Sequence, residues 1–195
     1  GTNISANDEW IELYNNTDTE INLAGWGLYE EGEKTLVEPL IGIIGAKSYY
    51  LIERTDDNTV PGIEASQSPT GWGGYGLNNN GERLQLLDNG SNIIDEIDCS
   101  GGWFTGIGKP EYKTMERFNS LVRGSDPQNW QTSQNPGGTP KAKNSEQNQE
   151  LKIAEDVPPP TSLTKSEKPA VDDSRQQTYP SGIVFNEILP SPEGP

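Results

Sequence analysis

Glu9 and Glu12 flank Trp10, which sets two carboxylates beside an aromatic ring. A glycosidase uses such a pair to protonate a leaving group and attack or hydrate the sugar. Three residues apart on an alternating segment, however, the two side chains point to opposite faces and cannot converge on one bond. The acidic groups Glu30, Glu31 and Glu33, and Asp56 and Asp57, offer the oxygen ligands that calcium takes; on composition they read first as solvated acidic turns. Asp88-Asn89-Gly90-Ser91-Asn92 has the look of a calcium loop, but glycine sits at its third position and no bidentate Glu follows at the twelfth, so it reads as a hairpin turn. Histidine is absent, which removes Ser-His-Asp and Cys-His catalysis, His-ligated zinc and imidazole pH sensing. Cys99 is the single cysteine; it can form no intramolecular disulfide and reads as a small buried hydrophobe. The sequence therefore predicts no enzyme, no cofactor and no metal site.

Charge narrows the partners. The chain of 195 residues carries 30 acidic against 14 basic groups, a formal charge of −16, and an acidic body repels nucleic-acid phosphates. No run approaches the ~18 apolar residues of a membrane span, and no signal peptide opens the sequence. Residues 1–140 hold 21 of the acidic groups, 8 of the basic ones and all five tryptophans, so this segment has the means to build a core.

Residues 1–140 read as short strands between turn clusters. Glu9–Tyr14 alternates, with Ile11 and Leu13 on one face and Trp10, Glu12 and Tyr14 on the other. Strands follow at 21–23, 25–28, 34–37 and 48–54, the last rich in aromatic and β-branched residues. Segments 82–87 and 92–98 flank an Asn-Gly pair, a strong hairpin signal, and 113–117 is a further strand. Convincing helical periodicity is lacking. The pattern predicts an all-β, immunoglobulin-like β-sandwich. Trp72, Tyr75, Trp103 and Phe104 fall in or near Gly-rich loops, where aromatic rings either bind carbohydrate or protein or plug the sandwich ends. Residues 141–181 lack Trp and Phe and include Pro158-Pro159-Pro160; too little apolar surface is present to offset backbone ordering, which predicts a disordered linker. Beyond it, in 182–195, Ile183–Leu189 is a strand by propensity.

The segments NDEWIELYNNTDTEINLAGWGL, GLNNNGERLQLLDNGSNIID and MERFN…DPQNWQTSQNPGGTPKAKN, with NEILPSPEG near the end, resemble pieces of the lamin tail domain, an immunoglobulin-like family of nuclear lamins and many bacterial proteins. In that family a strand like NEILPSPEG precedes the EWIELYN strand. Here no copy precedes Glu9, and a good one stands at 183–189, as though the chain were a circular permutant cut from a tandem array. The expected organisation is a sandwich lacking its first strand over 1–140, a linker over 141–181, and the first strand of a following module over 182–195.

Without that strand the sandwich would expose an unpaired sheet edge, and such edges recruit strands. Ile183, Val184, Phe185, Ile188 and Leu189 are the residues expected to complement it, across a linker with a root-mean-square span of roughly 35 Å. The resemblance further implies a non-catalytic module of a secreted or cell-envelope protein, with bacteria the expected host. Its partner would be a protein, a cell-surface component or neighbouring modules of the same parent. A polysaccharide partner, with the module as accessory to an extracellular enzyme, is the alternative. Coiled-coil heptads of a true lamin are absent.

Overall fold

A computed structural model describes residues 2, 3, 5, 7–30, 34–68, 72, 76–146 and 182–190, Lys34 through its backbone alone. Tyr75, Glu31, Glu33, the segment 147–181 and residues 191–195 lie outside the described residues. Alternating apolar and polar residues give short strands, and Gly, Asn and Asp between them turn the chain. In order these are β1 (Trp10–Asn15), β2 (Ile21–Asn22), β3 (Gly27–Glu30), β4 (Lys34–Val37), β5 (Ile43–Ile44), β6 (Tyr49–Glu53), β7 (Arg83–Leu87), β8 (Ile93–Asp98), β9 (Met115–Arg117), β10 (Trp130–Thr132) and β11 (Ile183–Leu189). Two of them, β5 and β10, are too short for the sequence pattern to mark as strands.

The strands form two facing sheets and a small ribbon. One sheet has five strands in the order β10-β9-β11-β1-β6, and the other has four in the order β4-β3-β7-β8; β2 and β5 pair separately. Every assigned strand pair is antiparallel. The Asn89-Gly90 turn joins β7 to β8 as expected, and Asp88 stitches it by accepting from the Gly90 and Asn92 amides at 2.8 and 2.9 Å. Between the sheets lies one core, to which Ile11, Leu13, Phe185 and Ile188 contribute from one side and Leu28, Leu84, Leu86 and Ile97 from the other. Cys99 lies in this core, and burial pushes its thiol up to about 12, as a small hydrophobe would have it.

The last strand, β11, lies in the middle of the five-stranded sheet, between β1 and β9. Taking it away would open two strand edges and part β9 and β10 from β1 and β6. All of Ile183–Leu189 is buried. The outer face of this sheet, which a two-layer sandwich leaves to solvent, is covered as well. There Trp10, Leu51, Val60 and Leu189 form a second apolar cluster. Residues 141–145, counted with the linker on composition, lie on the same sheet: the Lys141 amide donates to Glu12 and the Ser145 amide to Glu116.

Phe185 is fully buried in the core whereas Ile93 is 52% exposed. Phe185→Ala is therefore expected to cost about 3–5 kcal/mol in urea unfolding, and Ile93→Ala less than about 0.5 kcal/mol; equal costs would deny β11 its place in the core.

Candidate functional site: the slot that holds the last strand

Side chains from five separate segments converge on β11. At its start, the Gly182 amide donates to Asn16 Oδ1 at 2.8 Å and the Asn16 amide returns a bond to the Gly182 carbonyl at 3.0 Å. At Phe185 a buried ion pair takes over. Arg117 of β9 and Asp95 of β8 meet at 2.6 Å with side chains 1% and 0% exposed. Asp95 Oδ2 accepts the Phe185 amide at 2.9 Å, and Arg117 Nη1 donates to the Phe185 carbonyl at 2.9 Å. The pair thus spans both sheets and holds one residue of the inserted strand by both its backbone N–H and its backbone carbonyl. Charges this deep persist only when paired and hydrogen-bonded, and here the strand supplies part of that bonding.

A bulge follows. The register with β1 runs Glu12↔Glu187 and then Leu13↔Phe185, leaving Asn186 without a partner. Asn186 and Glu187 consequently both face away from the core. Asn186 Nδ2 donates to Glu12 Oε1 at 2.9 Å, and Asn144 reaches over to donate to the Asn186 carbonyl at 3.1 Å.

Glu187 is the middle of a row of acids. Glu12 of β1, Glu187 of β11 and Glu116 of β9 are register partners across three adjacent strands, and all three are 0% exposed. Like charges directly opposite one another destabilise a sheet, so this row must be neutralised in part. The Thr139 hydroxyl lies 3.0 Å from Glu116 Oε1, 3.0 Å from Glu187 Oε2 and 3.3 Å from Asn144 Oδ1; with one proton to donate, it serves one of these acceptors at a time. Burial pushes Glu187 up to about 8, with Glu116 and Glu12 adding to the rise, and pushes Glu12 up to about 7. The loop 136–140 caps the row. Gly138 has φ +69°, and a Cβ there would overlap Glu187 Oε1 and the Thr114 hydroxyl, so only glycine lets the backbone lie this close.

The residues read from the sequence as chemistry-bearing behave differently. Glu9 and Glu12 diverge: Glu9 Oε2 accepts from Arg54 at 2.8 Å and from the Leu77 amide at 2.9 Å, while Glu12 joins the acid row. Asp56 and Asp57 accept from the amides of Asn58 and Ala65 in their own loop, and among the described residues no group of three or more acids or cysteines is placed to hold a metal. Trp72, Trp103 and Phe104 are partly buried against the core; Trp103 donates its indole N–H to the Asn78 carbonyl at 2.9 Å, and Trp72 bridges to Val37. Asp95, Arg117, Glu116, Thr139 and Asn144 are residues the sequence reading did not single out. The available signal was phase: Asp95 alternates with Ile97, and Arg117 with Met115, so opposite charges fall in step with core positions.

Two facing antiparallel sheets around one apolar core, without an α-helix among the described residues, make this an immunoglobulin-like β-sandwich module. The lamin tail domain family model matches residues 2–101, just over half of the chain, and the chain belongs to that family. No curated protein and no solved structure gives a significant match.

Removing Asp95 leaves Arg117 buried without its counter-charge. Asp95→Ala is expected to cost about 3–5 kcal/mol in urea unfolding, and adding Arg117→Met should recover part of that loss rather than deepen it. Full additivity would show that the two charges act apart.

The acid row sets a pH dependence of definite sign. Unfolded, Glu12 and Glu187 titrate near 4.5; folded, they hold their protons to about 7 and about 8. The stability they confer is complete below about 4.5, declines as pH rises and is gone above about 8. Glu53, pushed by burial to about 7, acts in the same sense. The melting temperature should therefore fall between pH 5 and pH 8, and Glu187→Gln, which keeps the neutral form, should flatten the upper part of that fall; a melting temperature that climbs over this range would contradict the assignment.

Proposed function

We propose that this chain is a non-catalytic binding and tethering module of a secreted or cell-surface multidomain protein, and that it engages protein by holding an extended strand in the middle of a sheet. The observation that carries this reading is the slot itself. A strand remote in sequence from both its neighbours is held through its backbone at Gly182 and Phe185 and through two side chains, Asn186 and Glu187. Backbone pairing supplies affinity in strand addition, and the pockets for individual side chains supply selectivity. The secreted or envelope setting follows from the family resemblance, and the acidic surface suits solubility there.

The alternative, a carbohydrate-binding accessory module, needs open ring faces. Trp72, Trp103 and Phe104 are partly buried and packed against the core, and this favours strand binding.

Deleting 182–195 should lower the melting temperature, and adding a synthetic peptide of residues 182–190 in excess should raise it again. The same peptide with Glu187→Lys should restore little, since an ammonium cannot accept from Thr114 and Thr139. A melt insensitive to both the deletion and the peptide would end the proposal.

A further inference from the structure

The three buried carboxyls of the acid row share one cover. Glu187, Glu12 and Glu116 accept from the backbone amides of Thr139, Lys141 and Ser145 at 3.0, 2.6 and 3.0 Å, one acid to each amide, so that residues 139–145 lie as a strap across the row. Apolar packing contributes little to holding it. The strap reads Thr-Pro-Lys-Ala-Lys-Asn-Ser, and residues 141–143 are exposed. Asn144 adds bonds to the Arg117 and Asn186 carbonyls at 2.9 and 3.1 Å. Lys141 is kept at φ +56°, a backbone that a residue other than glycine adopts only where its surroundings impose it. Just ahead of the strap, Gly137 stands at φ +75° with open space where a Cβ would be, a joint free to swing.

The charged and titratable groups around the row come from four elements. Glu12, Glu187 and Glu116 belong to β1, β11 and β9. From β6 comes Tyr49, whose phenol is pushed up to about 12 by burial first and then by Tyr14, Glu12 and Glu187, so it stays neutral. The strap itself brings Lys141, which acts on Glu12, and Lys143; Glu146 follows them, and all three are exposed. All three acids of the row are 0% exposed under this cover, and lifting it returns them to water, where a glutamate ionises near 4.5. Covered, Glu12 and Glu187 hold their protons to about 7 and about 8, chiefly through burial. Opening is therefore coupled to proton release, and each proton released makes it up to about tenfold easier per pH unit.

We propose that residues 139–145 are a proton-sensitive latch, closed over the acid row in acid and lifted as the medium turns alkaline, with the sandwich beneath left intact. The strand-holding reading does not depend on it, because Asp95 and Arg117 hold the Phe185 backbone from the core side of the sheet.

A spin label on the full chain tests this. Ala142→Cys puts a thiol on the exposed part of the strap, and Cys99, its thiol pushed up to about 12 by burial, stays unlabelled. From pH 6 to pH 8 the ratio of mobile to immobile nitroxide should rise at least about tenfold for each proton released, while tryptophan fluorescence holds constant. Glu187→Gln and Glu12→Gln each leave a neutral acceptor under the strap, and each should remove at least about one such factor. Should one of these variants fail to fold, the other decides. A label equally immobile at both pH values overturns the latch, and so does a rise that survives the substitutions. Mobility and fluorescence changing together would mean that the whole module opens, which overturns it as well.

Discussion

The backbone of Phe185 is where the structure is decided. A buried carboxylate and a buried guanidinium, each costly to remove from water, lie on opposite sheets and are completed by the same backbone amide and carbonyl. Asp95 and Arg117 meet at 2.6 Å, and β11 adds one backbone hydrogen bond to each. In an all-apolar groove nothing would fix the depth of that backbone; here two charged groups do so between the sheets.

The acid row works with the clamp by a different route. Three glutamates in register would repel if all were ionised, and the structure answers with burial, the Thr139 hydroxyl and the amides of residues 139, 141 and 145. The strand's own contribution is the central acid. Glu187 thus lies between two carboxylates and accepts from the Thr139 amide and hydroxyl. A buried row of acids on an acidic protein is counter-intuitive on net charge alone, and it is held by where the amides and hydroxyls are placed rather than by the charge total.

Much of the fold was legible because it depends on local rules. Alternation marked β1, β7 and β8, turn chemistry at Asp88–Asn92 marked the β7–β8 hairpin, and propensity marked Ile183–Leu189 beyond a stretch without Trp or Phe. The family resemblance supplied what alternation could not, namely that a strand was wanted before Glu9. What escaped was set by long-range geometry. Strict alternation would put Glu187 on the face of Phe185; the bulge at Asn186 reverses it, and a one-residue shift moves every later side chain to the other face. The cover over the outer face was equally hidden. Residues 141–145 have a linker's composition, yet their amides and the Asn144 side chain find acceptors only because β9 and β11 already lie beneath them. Likewise Trp103, whose place on a Gly-rich loop suits either a ligand surface or a plug, packs against the core and ends its N–H on the Asn78 carbonyl.

The antiparallel register also fixes how the module answers mechanical load. Trp10 and Leu189 face each other at one end of the β1–β11 ladder, so tension transmitted along the polypeptide to these two residues peels the ladder open rung by rung, each bond failing alone. Pulled instead between Leu189 and Asn15, at opposite ends, the rungs share the force and slide together. The same strand in the same slot is thus a weak fastener along one axis and a strong one along the other, and the point at which the polypeptide is gripped determines which.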